Sequence, residues 1–214
     1  MSEDQRAHRV GVLGAGQISQ AAHFEACRKA RNAELHAVCD VAQDLLERVA
    51  AIHAPKKVYG DYDAMISDPD GDAVIVAVAD QFHVPMALKA VEAGKHVLVE
   101  KPMGVTVEEC EALCDVGTRR GLVVQVGTEK RFDEDIAFPR EFIREEMGEM
   151  LALKAWYCDS IHRYTMTDAL QPVIEASEMA RRPEGNPKAD LSGATMSWGT
   201  RATCSTRSAS GAGR

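Results

Sequence analysis

Gly14 and Gly16 stand two apart in Gly11-Val-Leu-Gly14-Ala-Gly16-Gln17-Ile18-Ser19, between an apolar run and a helical pattern. That spacing suits a backbone that turns tightly and then lies against a phosphate. Gly14 permits the turn, and Gly16 lets the main chain come close. Gln17 and Ile18 would open the helix, whose free N–H groups and positive dipole end favour a pyrophosphate. The third small position is Ser19 rather than Gly or Ala, a departure expected to loosen the packing of helix on strand. Asp40 follows the next apolar run, 21 residues beyond Ser19. A carboxylate there accepts hydrogen bonds from ribose hydroxyls and repels a 2′-phosphate, so NAD is expected in preference to NADP. Asp40 can also serve as a cap for the helix that follows.

A second group of residues lies further on, in His83-Val-Pro-Met-Ala-Leu-Lys-Ala-Val-Glu-Ala-Gly94-Lys95-His96-Val-Leu-Val-Glu100-Lys101-Pro102. Glu100 and Lys101 fall at the carboxyl end of a short Val-rich run, where open α/β sheets bind ligands. An ammonium there can donate to an oxygen that becomes alkoxide-like as hydride leaves the adjacent carbon. Pro102 withholds an N–H and fixes the chain leaving the run. Without a ligand, the same two residues make an ordinary surface ion pair.

With this AGKHVxxEKP string, residues 8–158 resemble the glucose–fructose oxidoreductase/inositol dehydrogenase/rhizopine catabolism (Gfo/Idh/MocA) family. The resemblance implies an NAD(P)-dependent oxidoreductase acting on a sugar, cyclitol or related polyol. It places Lys101 beside the nicotinamide and the reacting hydroxyl, with Glu100 organising the nicotinamide end. It also brings Ala79 and His83 to the cofactor, from Val78-Ala79-Asp80-Gln81-Phe82-His83. Here Asp80 replaces the family's Asn, and a carboxylate accepts hydrogen bonds but cannot donate them. The family's second domain often carries a catalytic histidine in a G-x-H-x-x-D context. His162 lacks that context, yet it is the histidine that follows the second domain's first strand, and it is the candidate for substrate contact. Full-length relatives are expected to be homo-oligomers.

These residues need a scaffold. Strands are expected at Arg9–Leu13, Glu34–Cys39, Asp72–Val78, His96–Val99 and Leu122–Val126, alternating with helices at Gln17–Ala30, Ala42–His53, Val84–Ala93 and Thr106–Arg120. Thr106-Val-Glu-Glu109 spells a capping box, and Gly94 ends the helix before it. The strands are short, Val-rich and mostly unalternating, as when helices cover both faces of a parallel sheet. The fold class is therefore α/β, a doubly wound parallel (Rossmann) sheet over residues 1–127. An incomplete α+β substrate domain is expected over 128–191, opening with a helix at Asp133–Met147 and a strand at Met150–Cys158. A further helix is expected at Asp168–Ala180.

Residues 192–214 contain three arginines, no acid and no Leu, Ile, Val or Phe, so the first 191 residues carry −11 of the chain's −8 net charge. That low-complexity stretch is read as a C-terminal truncation whose end is translated from a shifted frame, or otherwise as a disordered tail. The 214 residues include 25 Lys and Arg but no basic run, which disfavours a nucleic-acid partner. The longest apolar run, Ala73–Ala79, is too short to span a bilayer, and the polar N-terminus does not read as a secretory signal. Six cysteines form no CxxC pair, so buried reduced thiols, no metal site and a cytoplasmic location are expected. Two alternatives to a dehydrogenase stand: a dinucleotide-binding remnant or regulatory protein without turnover, and NAD-assisted elimination or glycoside cleavage.

Overall fold

The computed structural model describes residues 6–152, 154 and 177. Among them the strands are β1 (His8–Leu13), β2 (Ala33–Cys39), β3 (Lys57–Tyr59), β4 (Ala73–Val76), β5 (His96–Val99) and β6 (Val124–Val126). They form one parallel sheet in the order β3-β2-β1-β4-β5-β6. The direction of winding reverses between β1 and β4, and the crevice beyond that switch point is where such sheets bind dinucleotides. The helices are α1 (Phe24–Lys29), α2 (Gln43–His53), α3 (Tyr62–Ile66), α4 (His83–Glu92), α5 (Val107–Arg120) and α6 (Glu134–Glu145).

Successive residues of each central strand serve opposite layers. Leu13, Cys39, Val74 and Val76 pack with Met65 of α3, Val84 and Val91 of α4 and Leu113 of α5. Val12, Val38 and Ile75 pack with Phe24 of α1 and Leu46 and Val49 of α2. Both faces being apolar, the strands have no polar side to show, which is why their sequences do not alternate.

The five strands expected within residues 1–127 are present, each end within two residues of its expected place, and the capping box at Thr106 and Glu109 forms. β3 and α3 go beyond the expected elements, being too short to display a period. Asp61 starts α3 by accepting from the Ala64 N–H at 2.8 Å. The helix expected from Gln17 departs from a simple α-helix. Ser19–His23 is a π turn in which the Phe24 N–H reaches back to the Ser19 carbonyl. After β6 the chain makes α6, whose Ile136, Phe138 and Phe142 are exposed. Met150, Leu151 and Ala152 are not in a strand. Apart from residue 154, the rest of the expected strand, His162, the expected helix at Asp168–Ala180 apart from residue 177, and residues 192–214 lie outside the described residues. Among the described residues no helix is long and apolar enough to cross a membrane.

Candidate functional site

The loop after β1 shows why its two glycines differ. Gly14 has φ +94°, and a Cβ there would lie 2.2 Å from the Ala77 carbonyl oxygen. Its N–H donates to the Cys39 carbonyl at 2.8 Å, so the turn is wedged between the ends of β2 and β4. At Gly16 a Cβ would meet nothing within 4 Å. Open space on that side is what a pyrophosphate needs. The helix that follows holds the loop by its carbonyls. Ser19 Oγ donates to Gly14 O at 2.5 Å, Gln20 Nε2 to Ala15 O at 2.8 Å, and the Gln20 N–H to Gly16 O at 3.2 Å. An anion approaching Gly16 therefore meets carbonyls already engaged. Ser19 is fully buried, and its hydroxyl ties helix to loop, a role its small size alone does not announce. Gln17 and Ile18 open the helix and are exposed.

Asp40, just past β2, spends its carboxylate on the main chain. One oxygen accepts the Ala15 N–H at 2.7 Å and the other the Ala42 N–H at 2.9 Å. The residue preceding α2 is Ala42, with no side-chain cap of its own, so Asp40 organises that start from two residues upstream. A carboxylate offers about four lone-pair sites, so it retains acceptors for hydroxyl donors.

Glu100 and Lys101 leave the carboxyl end of β5. Glu100 Oε2 accepts the Lys101 N–H at 3.1 Å, and Oε1 lies 3.0 Å from His23 Nε2. Both side chains of that pair are largely buried. Burial pushes the His23 imidazole below its ordinary range, against the pull of the neighbouring carboxylate in the other direction. A neutral ring then donates Nε2–H to Glu100. Gly127, after β6, leaves room for the carboxylate: a Cβ there would sit 3.1 Å from Oε1. Lys101 itself is exposed.

His83, at the start of α4, is 1% exposed. Its Nδ1 lies 2.6 Å from the Pro102 carbonyl oxygen and its Nε2 3.0 Å from that of Val78. It thus clamps the end of β4 to the Glu100-Lys101-Pro102 segment, and any influence on a cofactor runs through those two stretches. Ala79 is exposed, immediately before a single 3₁₀ turn that starts at Asp80.

The sheet therefore collects the expected residues in two groups at its carboxyl edge. Gly14, Gly16, Gln17, Ile18 and Asp40 lie past β1 and β2; Ala79, His83, Glu100 and Lys101 lie past β4 and β5. This donor and acceptor set fits a dinucleotide laid across the switch point. His23 and Gln20 are functional candidates that sequence reasoning missed. Their signal was present: Ser19, Gln20 and His23 put polar side chains on the inward face of a helix otherwise packed on a sheet. Cys27 and Cys39 are buried, and burial pushes their thiols up to about 11 and about 12. Among the described residues no cluster of three or more His, Cys, Asp or Glu is arranged to hold a metal ion.

Residues 8–128 match the model of an oxidoreductase family described by its NAD-binding Rossmann fold. The chain is 35% identical over 171 residues to an inositol 2-dehydrogenase/D-chiro-inositol 3-dehydrogenase of Shouchella clausii, covering 78% of this chain and 49% of that protein. It is 33% identical over 148 residues to a D-glucoside 3-dehydrogenase of Escherichia coli, covering 69% and 42% respectively. Among solved structures, a scyllo-inositol dehydrogenase of Lactobacillus casei with bound NAD(H) and scyllo-inositol superposes with a TM-score of 0.62 at 27% identity. That superposition covers 65% of this chain and 42% of that one. The chain thus spans about half the length of the curated relatives it matches.

Proposed function

Because the chain belongs to the Gfo/Idh/MocA oxidoreductase family, we propose that it serves hydride transfer between a nicotinamide dinucleotide and a hydroxyl-bearing carbon of a sugar, cyclitol or related polyol. The observation that carries this reading is Lys101, an exposed ammonium at the carboxyl end of β5, one strand from the point where the winding of the sheet reverses. The substrate class follows the relatives named above, which act on inositols and a glucoside.

A bound dinucleotide supplies the carbon that accepts or returns the hydride. The chain's own residues do the rest. The loop at Gly14 and Gly16 and the helix start at Gln17 and Ile18 receive the pyrophosphate. Asp40 accepts from the ribose hydroxyls and disfavours a 2′-phosphate, so NAD is preferred over NADP. Glu100 fixes the main chain of Lys101 through its N–H. Lys101 Nζ donates to the reacting oxygen and steadies the charge that grows there, while the hydroxyl proton passes to a group of the second domain. His162 is proposed to contact the substrate.

We assign residues 1–127 to the dinucleotide-binding domain, 128–191 to the start of the substrate domain and 192–214 to a low-complexity tail. A small-molecule substrate without nucleic acid or membrane, a cytoplasmic site of action and homo-oligomerisation of longer relatives complete the proposal.

The test is NADH formation across a panel of inositols, sugars and glucosides. Turnover that disappears in Lys101→Ala while NADH still binds supports the dehydrogenase. NADH binding with no turnover on any member assigns a dinucleotide-binding role without catalysis instead. Release of an aglycone without accumulation of NADH indicates glycoside cleavage by transient oxidation.

A further inference from the structure

His23 and Glu100 are 77 positions apart in sequence and meet across the switch point of the sheet. His23 belongs to the helix that follows β1 and holds the glycine loop; Glu100 directly follows β5, two strands away in the order β1-β4-β5. A dinucleotide lying across the crevice has its pyrophosphate over the first of these elements and its far half over the second. We propose that His23 is a positioning residue: its contact with Glu100 fixes the Lys101 end of the crevice relative to the glycine loop, and so sets where the nicotinamide half of the cofactor rests. This proposal rests on the dinucleotide reading of the site.

The local structure supports a strut rather than a chance pair. His23 closes the π turn, and the next residue, Phe24, is also buried, its ring 4.7 Å from that of His53 on α2. Consecutive side chains are thus committed in two directions, one to β5 and one to α2. π turns of this kind are rare and concentrate at functional sites. Ser19 and Gln20 of the same turn hold the Gly14 and Ala15 carbonyls, so a shift of His23 would be felt at the loop. On the far side, Glu100 has a fixed orientation. Oε2 takes the Lys101 N–H, Oε1 takes His23, and Gly127 leaves the carboxylate its space. With the ring neutral, a single Nε2–H joins the two elements, so the link needs a donor at that point and no charge.

That requirement separates positioning from general support of the fold. NADH and ADP-ribose share the adenosine and pyrophosphate, but only NADH carries nicotinamide. Affinities for both are to be measured by titration in the unsubstituted chain and in His23→Leu, His23→Gln and Glu100→Gln, with a melting temperature for each. The expected result is a loss of about tenfold in NADH affinity in His23→Leu, the worth of one hydrogen bond to a charged group. ADP-ribose affinity should stay unchanged, and His23→Gln, which keeps an N–H donor, should restore NADH binding. Equal losses for both ligands, or no loss for either, would overturn the strut while leaving the dinucleotide site in place. If His23→Leu does not fold, the comparison rests on Glu100→Gln. That variant keeps an acceptor for His23 but weakens the bond, and it should lower NADH affinity alone. An unsubstituted chain that binds neither ligand overturns the dinucleotide reading itself, and the strut with it.

Discussion

Replacing Gly14 or Gly16 by alanine adds the same methyl group, yet the two variants should fail in different assays. At Gly14 the new Cβ would lie 2.2 Å from the oxygen and 2.9 Å from the carbon of the Ala77 carbonyl, main-chain atoms that cannot swing aside. The residue also has φ +94°, where an L side chain is strained whatever the space. The strain costs about 1–3 kcal/mol, and forcing a methyl into a filled site costs about as much again. At roughly 2–4 °C per kcal/mol for a domain of this size, G14A should melt about 5–20 °C lower. Gly16 has neither problem, since nothing lies within 4 Å of its Cβ position and its φ is outside the left-handed range.

G16A should therefore melt no lower than the unsubstituted chain, and by narrowing the unfolded ensemble it can gain about 0.4–1 kcal/mol. Its defect should appear in binding, because the methyl projects into the space left for a pyrophosphate. An NADH affinity loss of about 10–100-fold, equivalent to roughly 1.4–2.8 kcal/mol, is expected. Thermal melts and fluorescence titrations with NADH on the two variants check both halves together. G16A binding NADH as tightly as the unsubstituted chain would refute the assignment of that open space. A G14A melt within about a degree of the unsubstituted chain would refute the packing argument.

Ser19→Ala removes the hydroxyl that holds Gly14 O and should cost about 1–2 kcal/mol in urea denaturation; no change would mean the loop is held elsewhere. Asp40→Ser should raise NADPH affinity relative to NADH by about tenfold, because it removes a negative charge from the ribose end, and a ratio unchanged in paired titrations would contradict that role. Asp68→Asn should destabilise the fold by about 2–4 kcal/mol in chemical denaturation, since Lys57, His36 and Tyr59 all lose a charged partner. Stability should also fall with acid in two stages. His23 and His53 sit below the ordinary 6.5, so the unfolded chain takes up their protons first and stability declines gently below about that pH. Burial alone would raise the Asp68 carboxyl, but donors from Lys57, His36, the Asp70 N–H and Tyr59 outweigh it and hold it far below 3.8. A steep loss should therefore follow below about pH 4, where the unfolded state binds the protons. Melting temperatures from pH 7 to pH 3 check both stages, and a flat profile below pH 4 would refute the second.

How much of this could be read from sequence depends on the range over which each signal acts. Strands β1, β2, β4 and β5 were legible because each carries three or four consecutive apolar residues, Val10–Leu13, Ala37–Cys39, Ala73–Val76 and Val97–Val99. The cap at Thr106 and Glu109 was legible because both its partners lie within four residues. β3 offers three residues, of which Lys57 answers to Asp68 and Asp70 rather than to any local pattern. The glycine loop was legible as a turn, but the work of Ser19 was not. Its size argued for looser packing, and only the fold brings its hydroxyl onto Gly14 O. His23 illustrates the same limit at long range. Nothing near residue 23 names Glu100, because the contact exists only once β4 and β5 have been laid beside β1.

The two edges of the sheet divide the labour, and the division makes the predictions above separable. Polar groups at the amino edge satisfy one another. Asp72 accepts from the Arg9 N–H at 2.8 Å and pairs with Arg6, and the buried Lys95 donates to the carbonyls of Asp68 and Gly71, each at 2.7 Å. These groups, with Lys57 on Asp68, join the starts of β1, β3, β4 and β5, so their substitution should register as stability. At the carboxyl edge the polar groups hold loops in place yet keep capacity in reserve: Asp40 retains acceptors, Lys101 is exposed, and the space at Gly16 is open. Parallel strands all point the same way, so their N-terminal ends can close on themselves while the C-terminal ends stay available to a ligand. His23, one of the buried polar residues at the carboxyl edge with Ser19, Gln20 and His83, tests this partition. It is buried like a residue of the amino edge but placed at the carboxyl edge, and for that reason its substitution should be read in binding before it is read in melting.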